Sequence, residues 1–424
     1  MTQGECDVLV IGAGPAGIAA ACRAAECGRS VVLADENPAC GGQIWRAERG
    51  APPPAAAKWL ARLEACKVAI LSGAAAYDAD ANEHWVRFEH EFEPLEIHYN
   101  RLVLATGARE IFLPFPGWTL PGVVGAGGVQ ALIKSGFPVA GRRVVVAGSG
   151  PLLMAAASLL GRSGARIVGV YEQTPRANLA FFAVSLWEFP KKILEAAGLT
   201  LAAHGAWMHP GWWVVAAGAA KGEDVRLQWV ALTDGWRKIK VDCDLLACGY
   251  GLRPNTELAQ LLGCKLRNAA VVVDEFQHTS VEDVLAAGEV TGLGGAELSL
   301  AEGDVAGFSA AKDRPGARTL FGTRTRWRRF ASGLEGAFAL REELRRGVTP
   351  ETIVCRCEDV TAGRLSQCRS WKEAKMGTRC GMGACQGRIC GPAAEFLYEW
   401  TAESVRPPVT TARVGTLAGE SGPR

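Results

Sequence analysis

The chain has 424 residues, 49% of them hydrophobic and 51 of them glycine, which suits two or three α/β domains with cores of their own. Lysine and arginine (46) nearly balance aspartate and glutamate (44), so the net charge of +2 gives no electrostatic ground for nucleic-acid binding. No apolar run is long enough to span a bilayer and the opening MTQGECDVLV carries no basic leader, so neither a transmembrane segment nor an export signal is read and a cytoplasmic chain is expected.

In chain order, residues 7–21 come first, DVLVIGAGPAGIAAA, where an aliphatic run feeds Gly12, Gly14 and Gly17 and then a helix of small side chains. Strand, tight turn and helix start make a dinucleotide-binding unit: one glycine for the turn, one for close approach to a pyrophosphate, one for helix-to-strand packing. The phosphates would sit at the helix N-terminus, by Pro15 and Ala16, where free N–H groups and the helix dipole favour negative charge. Asp35, 23 residues after Gly12, ends a second apolar run where an acid accepts from ribose hydroxyls, and Glu36 is the fallback for that role.

Residues 39–46, ACGGQIWR, put Gly42 and Gln43 in a loop suited to lie against a cofactor. A spacer at 51–57 precedes a helix around residues 58–66, and polar and aromatic alternation over 75–101 predicts a β-meander. It leads into an apolar strand, LVLATG, ending in Ala105, Thr106 and Gly107.

Residues 142–160, RRVVVAGSGPLLMAAASLL, repeat the opening unit with Gly148 and Gly150. Leu153 stands at the third glycine position, where it would push helix and strand apart or block the nucleotide, while Glu172 is placed for a ribose. Nucleotide binding there stays open, and a hydride-donor site is disfavoured. Between 202 and 230, Trp207, Trp212, Trp213 and Trp229 read as core or partner-facing packing. Residues 314–329 form a basic connector, followed by a helical pattern through Phe330, Leu334, Phe338 and Leu344; a solvated linker with a surface helix is expected, a subunit-contact arm being the alternative. The six histidines, His84, His90, His98, His204, His209 and His278, fall in no catalytic constellation.

Nine of the 14 cysteines are scattered and read as small buried hydrophobes. The other five, Cys355, Cys357, Cys380, Cys385 and Cys390, crowd into 36 residues. Iron–sulfur clusters take four thiolates, whereas zinc knuckles space cysteine by two to four residues and fit Cys-x-Cys poorly. A reducing compartment disfavours disulfides.

The order GAGPAG, Asp35, GGQ and ATG resembles the flavoproteins with two dinucleotide-binding domains of the glutathione-reductase-like fold. That resemblance implies FAD, with Gly288 and Glu289 of AAGEV standing for the group's Ala-x-Gly-Asp, and Glu in place of the usual Asp. The redox dithiol of the thioredoxin-reductase type is missing, since its positions hold Ala126 and Val129, and Cys40 has no Cys-x4-Cys partner. VCRCEDVTAGRL followed by TRCGMGACQGRICG resembles the bacterioferritin-associated-ferredoxin-like 2Fe–2S domain. It implies Cys355, Cys357, Cys385 and Cys390 as ligands, with Cys380, one five-residue step before Cys385, open to a ligand swap. The expected architecture is α/β: an FAD domain split over 1–110 and 240–312, a degenerate NAD-type domain at 111–239, a linker and helix at 313–349, a small α-rich 2Fe–2S domain at 350–400 and a tail at 401–424.

This combination resembles the α subunit of heteromeric dye-linked dehydrogenases of the opine oxidase, hydrogen cyanide synthase and proline or hydroxyproline dehydrogenase type. The resemblance implies an amino-acid-oxidase-like β subunit that oxidises a C–N bond of an amino acid or secondary amine. This chain would then pass electrons to a downstream acceptor, through which any contact with the inner membrane would be peripheral. It leaves open an FMN at a subunit interface and a small third subunit. Two other readings stay open: an NAD(P)H-dependent FAD/2Fe–2S reductase, and a non-catalytic subunit with ATP in the FAD site.

Overall fold

The computed structural model describes residues 2–46, 53–203, 207–219, 225–401 and 405–419; His204, the first two residues of the spacer and part of the tail lie outside them. The chain forms two compact units, Met1–Arg109 with Arg253–Ser332 and Glu403–Arg424, and Glu110–Leu252 with Gly333–Ala402.

The first unit is built on a seven-stranded sheet in the order Ala69–Ser72, Val31–Asp35, Thr2–Ile11, Glu93–Leu104, Trp85–His90 and Ala75–Asp80, with Val284–Ala286 also paired to Glu93–Leu104. Strand alternation sends Val8 and Val10 to one face, where they meet Ile18, Leu33 and Ala306, and Leu9 and Ile11 to the other, with Phe88, Leu102 and Leu104. Each such side chain, fully buried, contributes about 2 kcal/mol from its apolar area. The helices Pro15–Glu26 and Gly295–Ala310 cover the first face and touch backbone to backbone: a Cβ on Gly303 would lie 2.2 Å from the Ala16 carbonyl.

Three expectations change here. The last meander strand and the LVLATG strand are one, Glu93–Leu104, which pairs parallel to Thr2–Ile11 and antiparallel to Trp85–His90. The basic connector is helical, Arg314–Arg318 and then Phe321–Ala337, and Arg324 within it is buried. The helix expected around 58–66 begins earlier, at Pro54, because proline fits a first helical turn.

The tail closes the far edge of this sheet. Val409 N–H donates to the Tyr77 carbonyl at 2.9 Å, Thr410 Oγ1 to the Ala76 carbonyl at 2.9 Å, and Thr416 Oγ1 to Glu89 at 2.6 Å.

The second unit holds a five-stranded parallel sheet ordered Met208–Pro210, Arg166–Glu172, Arg143–Ser149, Leu245–Tyr250 and Val123–Gly125. Val144, Val146 and Ala247 face the helices Ala126–Lys134 and Leu152–Arg162. Val145, Leu246 and Cys248 face a three-stranded antiparallel layer through Trp213, Val230 and Leu232. The cysteine-bearing segment packs onto that second core: Trp118 Nε1 donates to the Ile353 carbonyl at 2.6 Å, and Leu344 and Phe396 join the cluster. Of the tryptophans singled out above, Trp213 is core and Trp207 stands 82% exposed. Among the described residues no helix is long and apolar enough to cross a membrane.

Candidate cofactor sites

In the first unit the glycine turn is shaped by contacts no larger residue would permit. A Cβ on Gly17 would sit 1.7 Å from the Gly12 carbonyl oxygen, so the helix starts against the strand it follows. Gly14, by contrast, has open space where its Cβ would be and ends the chain's approach to Pro15 with no side-chain cap. The first-turn N–H groups are therefore left for a ligand.

Asp35 is buried and does more than wait for a ribose. Its Oδ2 accepts from Ala13 N–H at 2.5 Å and its Oδ1 from Asn37 N–H and Nδ2 at 2.7 and 2.8 Å, so the carboxylate ties the second strand to the turn. A carboxylate has about four acceptor positions, which leaves one for a hydroxyl. Glu36 faces solvent.

Gly41 N–H donates to the Ala13 carbonyl at 2.7 Å and a Cβ on Gly42 would lie 3.0 Å from Gly14 Cα, so the GGQ loop rests on the turn and leaves Gln43 exposed. Thr106 is held by Asn255: its hydroxyl donates to the Asn255 carbonyl at 2.6 Å and its own carbonyl accepts from Nδ2 at 2.9 Å, while Gly107 borders open space. Gly288 packs on Ala16, its virtual Cβ 2.6 Å from that methyl. Gly12, Gly14, Ala16, Gly42 and Gly288 are thus brought to one place from three distant stretches of sequence.

Glu289 is half-buried and, among the described residues, its carboxyl takes no partner; burial pushes its pKa above the usual glutamate value. A folded value above the unfolded one means the folded state binds the extra proton. This group's stability is therefore present below the ordinary value of 4.5 and is lost as pH rises from there through the raised value. Glu289→Gln is expected to raise the Tm of the flavin-free chain near neutral pH by about 2–4 °C and to flatten that decline. Superimposable Tm-against-pH curves for variant and parent would remove Glu289 from this role.

Beneath it lies a charge cluster that sequence reading missed. Glu302, 3% exposed at its side chain, accepts from Arg328 at 2.9 Å, from Gly288 N–H at 3.1 Å and from the Thr291 hydroxyl at 2.9 Å. Arg324 donates to the Glu275 carbonyl and to Gln277, which also accepts from Arg328 at 3.2 Å. The only advance signal was arginine spacing by four, which puts both on one helix face.

The second glycine turn is built like the first and then closed. Glu172 is buried, with Gly150 N–H at 2.7 Å and Thr174 N–H at 2.9 Å on its two oxygens, and burial raises its pKa. Leu153 is buried in the core between this sheet and its helices, with its Cδ2 3.5 Å from where a Cβ on Gly249 would stand, an ordinary van der Waals contact. Residues 338–341 cross the strand ends. Ser149 Oγ donates to the Phe338 carbonyl at 2.9 Å, Gln173 Nε2 to the Ala339 carbonyl at 3.0 Å, and Arg341 N–H to Gln173 Oε1 at 3.1 Å. Residues 338–341 thus engage Ser149 and Gln173, while Glu172 is held by two N–H groups of its own turn, as Asp35 is by three donors.

The cysteines converge. Cys355, Cys380 and Cys390 are buried with their sulfurs all within 4.8 Å of one another, which is compatible with an iron–sulfur site. Cys357 and Cys385 form a thiol pair alongside, and a Cβ on Gly383 would lie 2.3 Å from Cys357 Cβ. Burial would raise the Cys385 thiol, but the N–H groups of Ile389, Gly387 and Arg388 and the Cys357 thiol hold it below its ordinary value, as suits a thiolate ligand. Of the expected ligands, Cys355 and Cys390 thus share one group with Cys380, and Cys357 and Cys385 form a second pair.

Among the described histidines, His84 stacks on Tyr99 and His209 on Tyr171, His98 lies 3.1 Å from Glu96 and His278 3.2 Å from Asp274.

Two nucleotide-type sheets, one mixed and one parallel, each with a glycine turn after an inner strand, define a class, and the chain belongs to the pyridine nucleotide-disulphide oxidoreductase family, matched over residues 6–311. Within it, the chain is 33% identical to the HcnB component of hydrogen cyanide synthase from Pseudomonas aeruginosa over 90% of each chain. It is 32% identical to an opine oxidase subunit of Agrobacterium tumefaciens over 97% of this chain and 88% of that one. Its fold matches L-proline dehydrogenase from P. horikoshii with a TM-score of 0.69 at 20% identity, over 98% of this chain and 80% of that one. In this chain the positions of the thioredoxin-reductase-type dithiol hold Ala126 and Val129, and residues 338–341 bond to Ser149 and Gln173 at the second turn.

Proposed function

We propose that this chain is the electron-transferring FAD and 2Fe–2S subunit of a heteromeric dehydrogenase that oxidises the C–N bond of an amino acid or secondary amine. Proline, hydroxyproline, opines and glycine are the substrate classes in view. The oxidation itself belongs to a partner subunit of amino-acid-oxidase type. The observation that carries the reading is the joining, in one chain, of an open glycine turn backed by an unpartnered Glu289 with five convergent cysteines.

Asp35 and the N-terminus of Pro15–Glu26 would hold the adenosine and pyrophosphate, and Thr106, Gly107 and Glu289 the flavin side. Cys355, Cys357, Cys385 and Cys390 would hold the cluster. Bound, the flavin supplies exchange between two-electron and one-electron transfer and the cluster supplies one-electron transfer. The chain's own part is to bind, orient and shield both groups. Support for a partnered chain comes from the relatives, which are named as subunits, and from Phe181, Val184, Trp187, Leu194 and Leu201, all more than 70% exposed on neighbouring helical segments.

The test is an anaerobic absorbance spectrum of the purified chain before and after NADH or NADPH. Flavin and iron–sulfur bands that stay oxidised are expected, because residues 338–341 cover the second turn. Prompt bleaching would replace this reading with that of a reductase, and a chain with cluster bands but no flavin would move the first site to a structural nucleotide.

A further inference from the structure

Five thiols gather where a two-iron cluster takes four. Each tetrahedral iron of such a cluster gives two positions to bridging sulfide and has two left for cysteine, and two thiolates on one tetrahedral metal stand about 4 Å apart. The Cys357–Cys385 pair, whose thiols are in contact, would hold one iron. At the other, Cys355, Cys380 and Cys390 are all within 4.8 Å of one another, with Cys390 in thiol contact with both neighbours. Three ligands face two positions.

Cys380 is held there by its surroundings. Its side chain is fully buried, its N–H donates to Thr378 Oγ1 at 3.2 Å, and that hydroxyl donates to the Ala374 carbonyl at 2.6 Å, fixing the end of the helix Trp371–Thr378. A left-handed Arg379 then turns the chain into the cluster loop.

Resting on the iron–sulfur reading above, we propose that Cys380 is a reserve ligand, which takes the iron when Cys390 or Cys355 releases it. The exchange balances without an oxidant. The iron–sulfur bond to Cys390 breaks, the Cys380 proton passes to the freed thiolate, and a bond from Cys380 forms, with both irons keeping their oxidation states. The contact between the thiols lets this happen with no change of backbone, so the cluster survives the loss of either neighbour.

The experiment loads the full chain anaerobically and measures iron, acid-labile sulfide and the electron paramagnetic resonance signal after dithionite reduction. Cys390→Ser and Cys355→Ser are each expected to keep at least about half of the parent's sulfide with a shifted signal, because a third thiol is in place. Cys380→Ser should match the parent, while Cys380→Ser/Cys390→Ser, with three thiols left, and Cys357→Ser and Cys385→Ser, each leaving one iron a single cysteine, should fall by about ten-fold or more. Cys390→Ser and Cys355→Ser as empty as Cys385→Ser would overturn the reserve role, as would a loaded double variant or a Cys380→Ser that loses the cluster. Should Cys355→Ser fail to fold by circular dichroism, Cys390→Ser decides alone. A parent chain that takes up iron without labile sulfide would overturn the iron–sulfur reading itself, which is a different result.

Discussion

Glu302→Ala is expected to destabilise the first unit by about 2–4 kcal/mol and to empty the flavin site. The carboxylate is almost wholly buried and serves three donors at once, Arg328, Gly288 N–H and the Thr291 hydroxyl. Alanine leaves Gly288 N–H unpaired, leaves the Thr291 hydroxyl only the Gly288 carbonyl at 2.9 Å, and removes the negative charge from between two arginines. Burial and the charge of Arg328 already depress the pKa of Arg324, and Glu302 opposes that. Arg328 is 42% exposed and keeps water and Gln277, so the loss stays below that of a fully buried pair broken in half. Glu302→Gln, which keeps the volume and one acceptor, should cost roughly half as much. Urea midpoints and flavin content per chain measure both effects. An alanine variant that unfolds at the parent's midpoint with the parent's flavin would show that the Gly288–Thr291 turn does not depend on this anchor.

Removing the metal is expected to loosen residues 350–400 while leaving the parallel sheet beside them intact. The segment's own core is small, essentially Val354, Val360, Leu365, Ala374 and Ala393 with the cysteines, and its hairpin pairs only Ile353–Cys355 with Val360–Thr361. About 50 residues around such a core rarely supply more than 3–5 kcal/mol, and metal binding adds directly to folding free energy. Amide exchange at Val354, Val360 and Ala374 should therefore quicken at least about 100-fold after chelation, equivalent to about 3 kcal/mol, with Val144 to Val146 unchanged. Equal protection before and after chelation would mean the packing of Ile353 and Phe396 is enough by itself.

What the sequence made legible is what local chemistry dictates. Gly12, Gly14 and Gly17 announce their turn by their spacing between strand and helix, and at Gly12 and Gly17 a side chain would collide with backbone; Asp35 follows at the reach of one helix and one strand. Five cysteines crowded into 36 residues announce a metal site, and the resemblance to the 2Fe–2S domain implies Cys355, Cys357, Cys385 and Cys390 among them. Long-range pairings left no such trace. Arg324 and Arg328 read as a solvated connector, since nothing near them in sequence shows that Glu302 and Gln277 wait for them. Residues 338–341 carry no motif at all: three of their contacts with the second turn run through backbone groups, which any residue supplies. Leu153 was legible as a departure, but its burial in the core with Val144, Val146 and Ala247 required the packing. Cys380 stood in plain view as a candidate for ligand exchange, and only the mutual distances show three thiols at one position.

The tail that borders the sheet of the first unit sets a delay in making the protein. Thr410 and Arg413 bond to Ala76 and Glu89, residues that precede them by 334 and 324 positions. At the roughly 5–20 residues per second of synthesis, the strand Ala75–Asp80 waits about 15–65 s for its cover. During that interval its outer N–H and C=O groups are an unpaired edge, open to a second nascent chain. The burden falls on the ribosome-bound stage, and the arrival of the tail ends it.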